Sequence, residues 1–175
     1  MHFIFLWGDF HMKKIFFILF VAFLCTSCAV GSSVMGRQKT VETVQLYCVD
    51  SDLYKLIPYD VEIEAASAQE AAEHIIDKLI NGMQYEKIRH IIPAVENGVT
   101  VRIEGDTAFV NFSDEMVQMH PDDIDSEYLT VYSVVNSLAS LEAVTAVRFT
   151  IGGEQREKFK GFLDMRETFL PDYMV

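Results

Sequence analysis

Basic side chains are scarce in this sequence: 14 Lys and Arg stand against 26 Asp and Glu, a net charge of −12. So acidic a chain repels phosphate backbones and anionic head groups, which excludes nucleic acid as a partner and membrane contact through a basic patch. Cysteine is nearly missing; Cys25, Cys28 and Cys48 are the only three, too few for a disulfide framework. Proline occurs four times and tryptophan once, and no internal repeat or low-complexity tract is present, so neither a solenoid nor a Pro-rich spacer is expected. Long apolar runs are lacking as well. The most apolar stretch, Ile15–Leu24, is ten residues without a charge, about half of the ~20 that a spanning helix requires.

Catalytic signatures are missing too. There is no GxSxG elbow, P-loop, GxGxxG or HExxH pattern. His74, His90 and His120 have no cysteine or histidine at ligand spacing, so each is expected to be solvated and no metal or cofactor site is assigned. "HPDDID" (120–125) lacks the DxDxDG loop of a calcium site, and its acids suit the start of a helix. Ser133, Ser137 and Ser140 have no histidine partner in the sequence. No catalytic residue is assigned, and the chain is not expected to be an enzyme.

What is present begins at the amino end. Lys13 and Lys14 precede the apolar run, and Thr26, Ser27 and Ala29 follow it. Positive flank, short apolar core and small-residue exit make a secretory signal peptide. Met12 is an alternative start, since the signal is complete from there. "LCTSC" (24–28) resembles a bacterial lipobox, in which a cysteine after small residues is diacylated through its sulfur and becomes the first residue of the mature chain. The matching residue is Cys28, with cleavage between Ser27 and Cys28 and a covalent diacylglycerol and palmitate as the anchor; Cys25 stands where Leu or a similar residue is usual. A CxxC metal or redox pair would require a second ligand pair or a βαβ context, and the sequence offers neither. The organisation expected is therefore a signal peptide over 1–27, a lipidated tether over 28–42 and a single domain over 43–175, held on the extracytoplasmic face of a membrane. Loss of residues 1–27 removes Lys13, Lys14 and Asp9, taking the net charge from −12 to −13. The tether stretch 29–42, even fully extended, spans at most ~50 Å.

In the domain, "ETVQLYCVD" (42–50) and "YKLIPYDVEIE" (54–64) alternate as strands. Val44, Leu46 and Cys48 share one face, so Cys48 reads as a buried apolar side chain rather than a nucleophile. Pro58 suits an edge strand or a bulge. Ser67 and Glu70 form a capping box before a helical stripe of Ala71, Ala72, Ile75, Ile76 and Leu79, stopped at Asn81-Gly82. "VTVRIEGDTAFVNFS" (99–113) is a hairpin turning at Gly105-Asp106. "SEYLTVYSVVNSLASL" (126–141) is rich in β-branched residues, yet its length and the acids before it favour a helix. "AVRFTI" (146–151) is a last strand ending at Gly152-Gly153, and the tail from Gly161 is apolar enough to pack back on the body. The order ββ-α-ββ-α-β predicts an α/β (α+β) sandwich, two helices on a mixed, mostly antiparallel sheet.

The segments "LYCVDSDLYKLIP", "IIP…NGVTVRIEGDTAFVNFSDEM", "YLTVYSVVNSLASL" and "VTAVRFTIGGE" stand in the order and spacing of the GerMN domain of bacterial sporulation and spore-germination lipoproteins. The resemblance runs from about Val44 to Asp172, its most specific pieces being "TAFVNFSDE" and "LTVYSVVNSLASLEAV". It implies a helix over the ambiguous segment, a fold resembling ring-building-motif domains, and a non-enzymatic adaptor role in assembling envelope complexes, in some members during spore formation. The best-known members carry two copies of the domain where this sequence shows one, and Gly161-Phe162 stands where the family often has Gly-His. The function expected is a lipid-anchored interaction module that docks to envelope proteins or to itself, with Tyr128 and Tyr132 on the exposed side of the second helix as the contact surface. The alternative is a lipoprotein that binds or processes a small molecule or cell-wall fragment.

Overall fold

Strand periodicity begins at Thr40 in the computed structural model of the protein, which describes residues 38–82 and 85–175. The expected signal peptide, the Met12 start, the Ser27–Cys28 cleavage and the lipidated Cys28 lie outside the described residues. β1 (Thr40–Asp50) pairs antiparallel with β2 (Leu56–Ala65), from Thr40 opposite Ala65 to Val49 opposite Leu56. Residues 40–42, expected in the tether, are thus already strand. Val44, Leu46 and Cys48 are buried, as their spacing requires. A two-residue strand, β3 (Ile88–Arg89), pairs with Val49 and Asp50 on the other side of β1, giving the order β2-β1-β3.

α1 (Ala68–Asp77) starts as its sequence dictates. The Glu70 N–H donates to Ser67 Oγ at 3.2 Å, and the Glu70 carboxylate accepts the Ala66 N–H at 2.8 Å, one residue before the cap residue that a capping box uses. Lys39 adds an ion pair to Glu70 at 2.5 Å. Ala71, Ala72, Ile75 and Ile76 are buried along one stripe, and the helix loosens into a π turn over Lys78–Gly82 before the chain leaves it.

β4 (Val99–Glu104) and β5 (Thr107–Phe112) form the hairpin, with Gly105 at φ +61 in the two-residue turn. β6 (Ala146–Ile151) lies parallel to β5, so the order is β4-β5-β6. A parallel neighbour demands a crossover, and it carries α2 (Asp114–Met119) and α3 (Ile124–Leu138). α2 has no counterpart in the expected order; it is short, capped by Ser113 Oγ accepting the Met116 N–H at 3.1 Å. α3 begins two residues earlier than expected, at an Asp123 cap whose carboxylate accepts the Ser126 N–H at 2.8 Å. The α+β class is as expected, with the strands divided into two sheets of three. One continuous core joins them, centred on Phe112 between the stacked ring of Phe149 at 5.2 Å and the edge-on ring of Phe159 at 5.3 Å. The tail packs back as its composition requires: Leu163, Met165 and Phe169 are buried, and Phe169 exchanges two backbone hydrogen bonds with Val147 of β6.

Candidate interaction surface

α3 is buried almost all round; Ile124, Asp125 and Tyr128 alone among its residues are exposed. It nevertheless carries six buried polar side chains, Ser126, Glu127, Thr130, Ser133, Asn136 and Ser137. Buried polar groups are costly without partners, and these have them. Glu127 accepts three backbone N–H groups, from Gly161 at 2.8 Å, Phe162 at 3.1 Å and Leu163 at 2.9 Å. Ser133 donates to the Tyr47 carbonyl at 2.6 Å, and Ser137 accepts the Tyr47 N–H at 2.8 Å. The β3 ladder reaches only Val49 and Asp50, so two serines one helical turn apart do for Tyr47 what a longer β3 would have done. Asn136 does the same for the tail, donating to the Asp172 carbonyl at 2.6 Å and accepting its N–H at 2.9 Å.

Thr130 holds His120, and here the structure corrects the sequence. His120 is buried rather than solvated, 2% exposed, with the Phe159 ring edge-on at 4.9 Å. The connection between α2 and α3 turns it inward. Its Nδ1 lies 2.8 Å from the Pro121 carbonyl, which can only accept, so Nδ1 carries the proton and Nε2 accepts from the Thr130 hydroxyl at 2.8 Å. Burial holds this imidazole below its usual pKa, as a neutral group. His74 is half-buried on α1 and His90 is exposed. Cys48 behaves as expected, its thiol pushed up to about 11 by burial. The polar groups of α3 thus close backbone edges. A second stripe of Glu, Thr, Ser and Asn at helical spacing in an otherwise apolar segment was the available signal.

The outward face of α3 is aromatic. Tyr128 is exposed and its ring stacks on Tyr132 at 6.0 Å and 19°. Tyr132 is half-buried, edge-on to Phe169 at 6.1 Å, and burial with the nearby Asp172 carboxylate raises its phenol pKa. The two expected surface residues are therefore brought together, Tyr128 presenting the face and Tyr132 supporting it. Ile124, one turn before Tyr128 on the helix, is exposed as well, as is Leu170 in the tail. Tyr54 adds a third tyrosine, its hydroxyl 3.4 Å from Ser126 Oγ and its ring beneath the Arg89 guanidinium at 4.9 Å. Its backbone is left-handed, φ +50, and the turn is held by Asp50, whose carboxylate accepts the Leu53 and Asp52 N–H groups at 2.8 Å each. Those bonds, Leu53's foremost, keep the Asp50 carboxyl below the usual range.

A hollow of about 370 Å³ lies between the start of β1, the β2–α1 turn and the loop after α3. It is shallow, lined by methyl groups of Ala65, Ala66, Ala68 and Ala143, with Glu42 and Glu142 as its charged groups. Among the described residues no three His, Cys, Asp or Glu side chains converge as a metal site, and no helix is long and apolar enough to cross a membrane.

Comparison with known proteins places this geometry. The family model described as sporulation and spore germination, Germane, matches residues 45–157. Among curated proteins none matches the sequence. A candidate lipoprotein of Clostridium perfringens has a similar solved structure, with TM-score 0.54 and 15% identity over 76% of this chain and 88% of that one. The first GerMN domain of the sporulation protein GerM from Bacillus subtilis is similar at TM-score 0.54 and 16% identity, over 77% of this chain and 99% of that one. The tandem GerMN domains of the same protein match at TM-score 0.53 and 19% identity, over 69% of this chain and 42% of the tandem.

Proposed function

The chain belongs to the sporulation and spore germination family, and from that premise we propose that it is a non-catalytic, lipid-anchored module for assembling envelope complexes. The anchor is a diacylated and palmitoylated Cys28, exposed to the extracytoplasmic side, and the folded domain stands on a short tether close to its membrane. Envelope proteins, or further copies of the chain, are its partners. The lipobox-like "LCTSC" supports the anchor, and the family match supports the assembly role.

One observation carries the docking role: a helix buried on nearly every side opens to solvent at a stacked tyrosine pair. Tyrosine is enriched at interfaces because its ring buries a large area while its hydroxyl stays paired. An exposed aromatic face with Ile124 one helical turn before Tyr128 suits a protein partner better than a small ligand, which needs a concave site with convergent polar groups.

Crosslinking the full-length lipidated chain in cells, followed by mass spectrometry of what it captures, tests the reading. Specific capture of envelope proteins or of a second copy, lost in Tyr128→Glu, is expected. Capture that survives Tyr128→Glu unchanged contradicts the docking face. A chain that stays alone while control crosslinks form contradicts the assembly role. Cys28→Ala is expected to release the protein from the membrane fraction, and retention there contradicts the anchor.

A further inference from the structure

The chain itself meets the free side of β1, the edge of β4 and part of the edge of β6. The free side of β1 is met by β3 and by Ser133 and Ser137. At β4, Gln69 of α1 accepts the Ile103 N–H at 2.8 Å and donates to the Val101 carbonyl at 2.9 Å. β6 is paired by Phe169. β2 differs. The Asp50 N–H donates across to the Lys55 carbonyl while Tyr47 bonds away from β2, so the even-numbered residues of β2 point their backbone groups outward. Leu56 N–H is met by the Val175 carbonyl at 3.3 Å and Pro58 has no N–H. Beyond them, the N–H and C=O groups of Asp60, Glu62 and Glu64 have no partner among the described residues.

The side chains along this edge are regular. Asp60, Glu62 and Glu64 lie exposed on one face, and none forms an ion pair among the described residues. Gln45 donates to Asp60 at 3.2 Å across the ribbon. On the opposite face Ile57, Tyr59 and Val61 are half-buried, with Tyr85 stacked on Tyr59 at 5.6 Å. Covering that apolar margin and neutralising the carboxylates calls for the same object: a further strand, basic on one side and apolar on the other.

We propose that the open edge of β2 accepts an added strand from a partner protein, in an extended segment whose Lys or Arg residues alternate with apolar ones. The Asp60, Glu62 and Glu64 backbone groups supply the ladder. A partner residue directly opposite each of them falls on the same face, so basic residues at i, i+2 and i+4 meet the three carboxylates, and the residues between them cover Tyr59 and Val61. A second copy of the same edge is disfavoured, because it sets carboxylate against carboxylate. This surface is distinct from the Tyr128 face, and its success or failure is read separately.

The test uses the full chain in zwitterionic detergent and fluorescent peptides followed by anisotropy. One short peptide has three lysines alternating with valine and threonine; a second has the same composition with its lysines consecutive; a third is the first with alternate amides N-methylated. The alternating peptide is expected to bind about tenfold more tightly than the consecutive one, the gain expected of three cross-strand charge pairs. The N-methylated peptide is expected to lose binding, and the D60N/E62Q/E64Q variant to weaken it by about the same factor, while Tyr128→Glu leaves it unchanged. Equal binding of the consecutive or N-methylated peptide reduces the effect to charge attraction and overturns the proposal. So does no binding, or self-association that disappears in the triple variant.

Discussion

α1 and α3 are both helices of this domain with polar side chains near sheet edges, yet they are built on opposite plans. α1 has one buried stripe, Ala71, Ala72, Ile75 and Ile76, and a polar remainder none of which is fully buried, from which Gln69 reaches the edge of β4. α3 is buried on nearly every side, and its polar residues reach inward to the backbone of β1, the 161–163 loop and the tail. The difference teaches where the domain's order is set. An amphipathic helix is held mainly by area, and losing one polar contact on its wet side costs little because water substitutes. A buried helix with a polar stripe is held by particular atoms, and losing one leaves a dry donor or acceptor behind.

The largest break in this comparison is at Glu127. Glu127→Ala removes from a buried site the acceptor of three backbone N–H groups, of which the Leu163 bond is itself buried, and is expected to cost ~3 kcal/mol in urea denaturation. The Gly161–Leu163 amides are expected to exchange faster at the same time. A loss no greater than an exposed alanine substitution contradicts the closure role of α3. Next in size is Ser137→Ala, expected to cost ~2 kcal/mol by stranding the Tyr47 N–H. Ser133→Ala is expected to cost less, since an under-satisfied carbonyl is better tolerated than an orphaned N–H. Because both serines act on one residue, the double variant is expected to fall short of the sum.

On α1 the same experiment is expected to be gentler. Gln69→Ala and the cap variant Ser67→Ala are each expected to cost ~1 kcal/mol, since both sites are partly open to water. Costs at Gln69 equal to those at Ser137 would erase the distinction between the helices. The smallest effect is a slope with pH. The folded state holds His120 below its ordinary pKa of ~6.5. As pH falls through ~6.5 the unfolded chain takes up a proton that the fold refuses, so stability is lost toward acid and flat above that point. His120→Gln is expected to remove that slope whatever it does to the midpoint. An unchanged slope places the titration elsewhere.

The same contrast explains what the sequence showed and what it hid. α1, the 99–112 hairpin and β6 were legible because period, cap and turn residues all lie within a few positions of one another, as in Ser67 with Glu70 or Gly105 with Asp106. α3 was legible as a helix through its family resemblance, but its inner polar contacts were not, because the partner of Ser133 and Ser137 is 86 and 90 residues away. His120 was misjudged because the turn between α2 and α3 brings it back onto Thr130, ten residues on, and under the Phe159 ring, and neither contact leaves a periodic signal. The division into two sheets was hidden as well, since a two-residue β3 leaves no periodic signal. The adjacency of Tyr128 and Tyr132 followed from their spacing on the second helix, though the sequence did not tell that only Tyr128 faces out.

The most direct measurement replaces Tyr128 with a photoreactive residue in the full-length lipidated chain, with Arg148 on the exposed face of β6 as the control position, and irradiates living cells. Adducts to an envelope protein or a second copy from position 128 and none from 148 are the predicted result. No adduct from 128, or the same adducts from both positions, would contradict the tyrosine face as the place where this domain meets its partners.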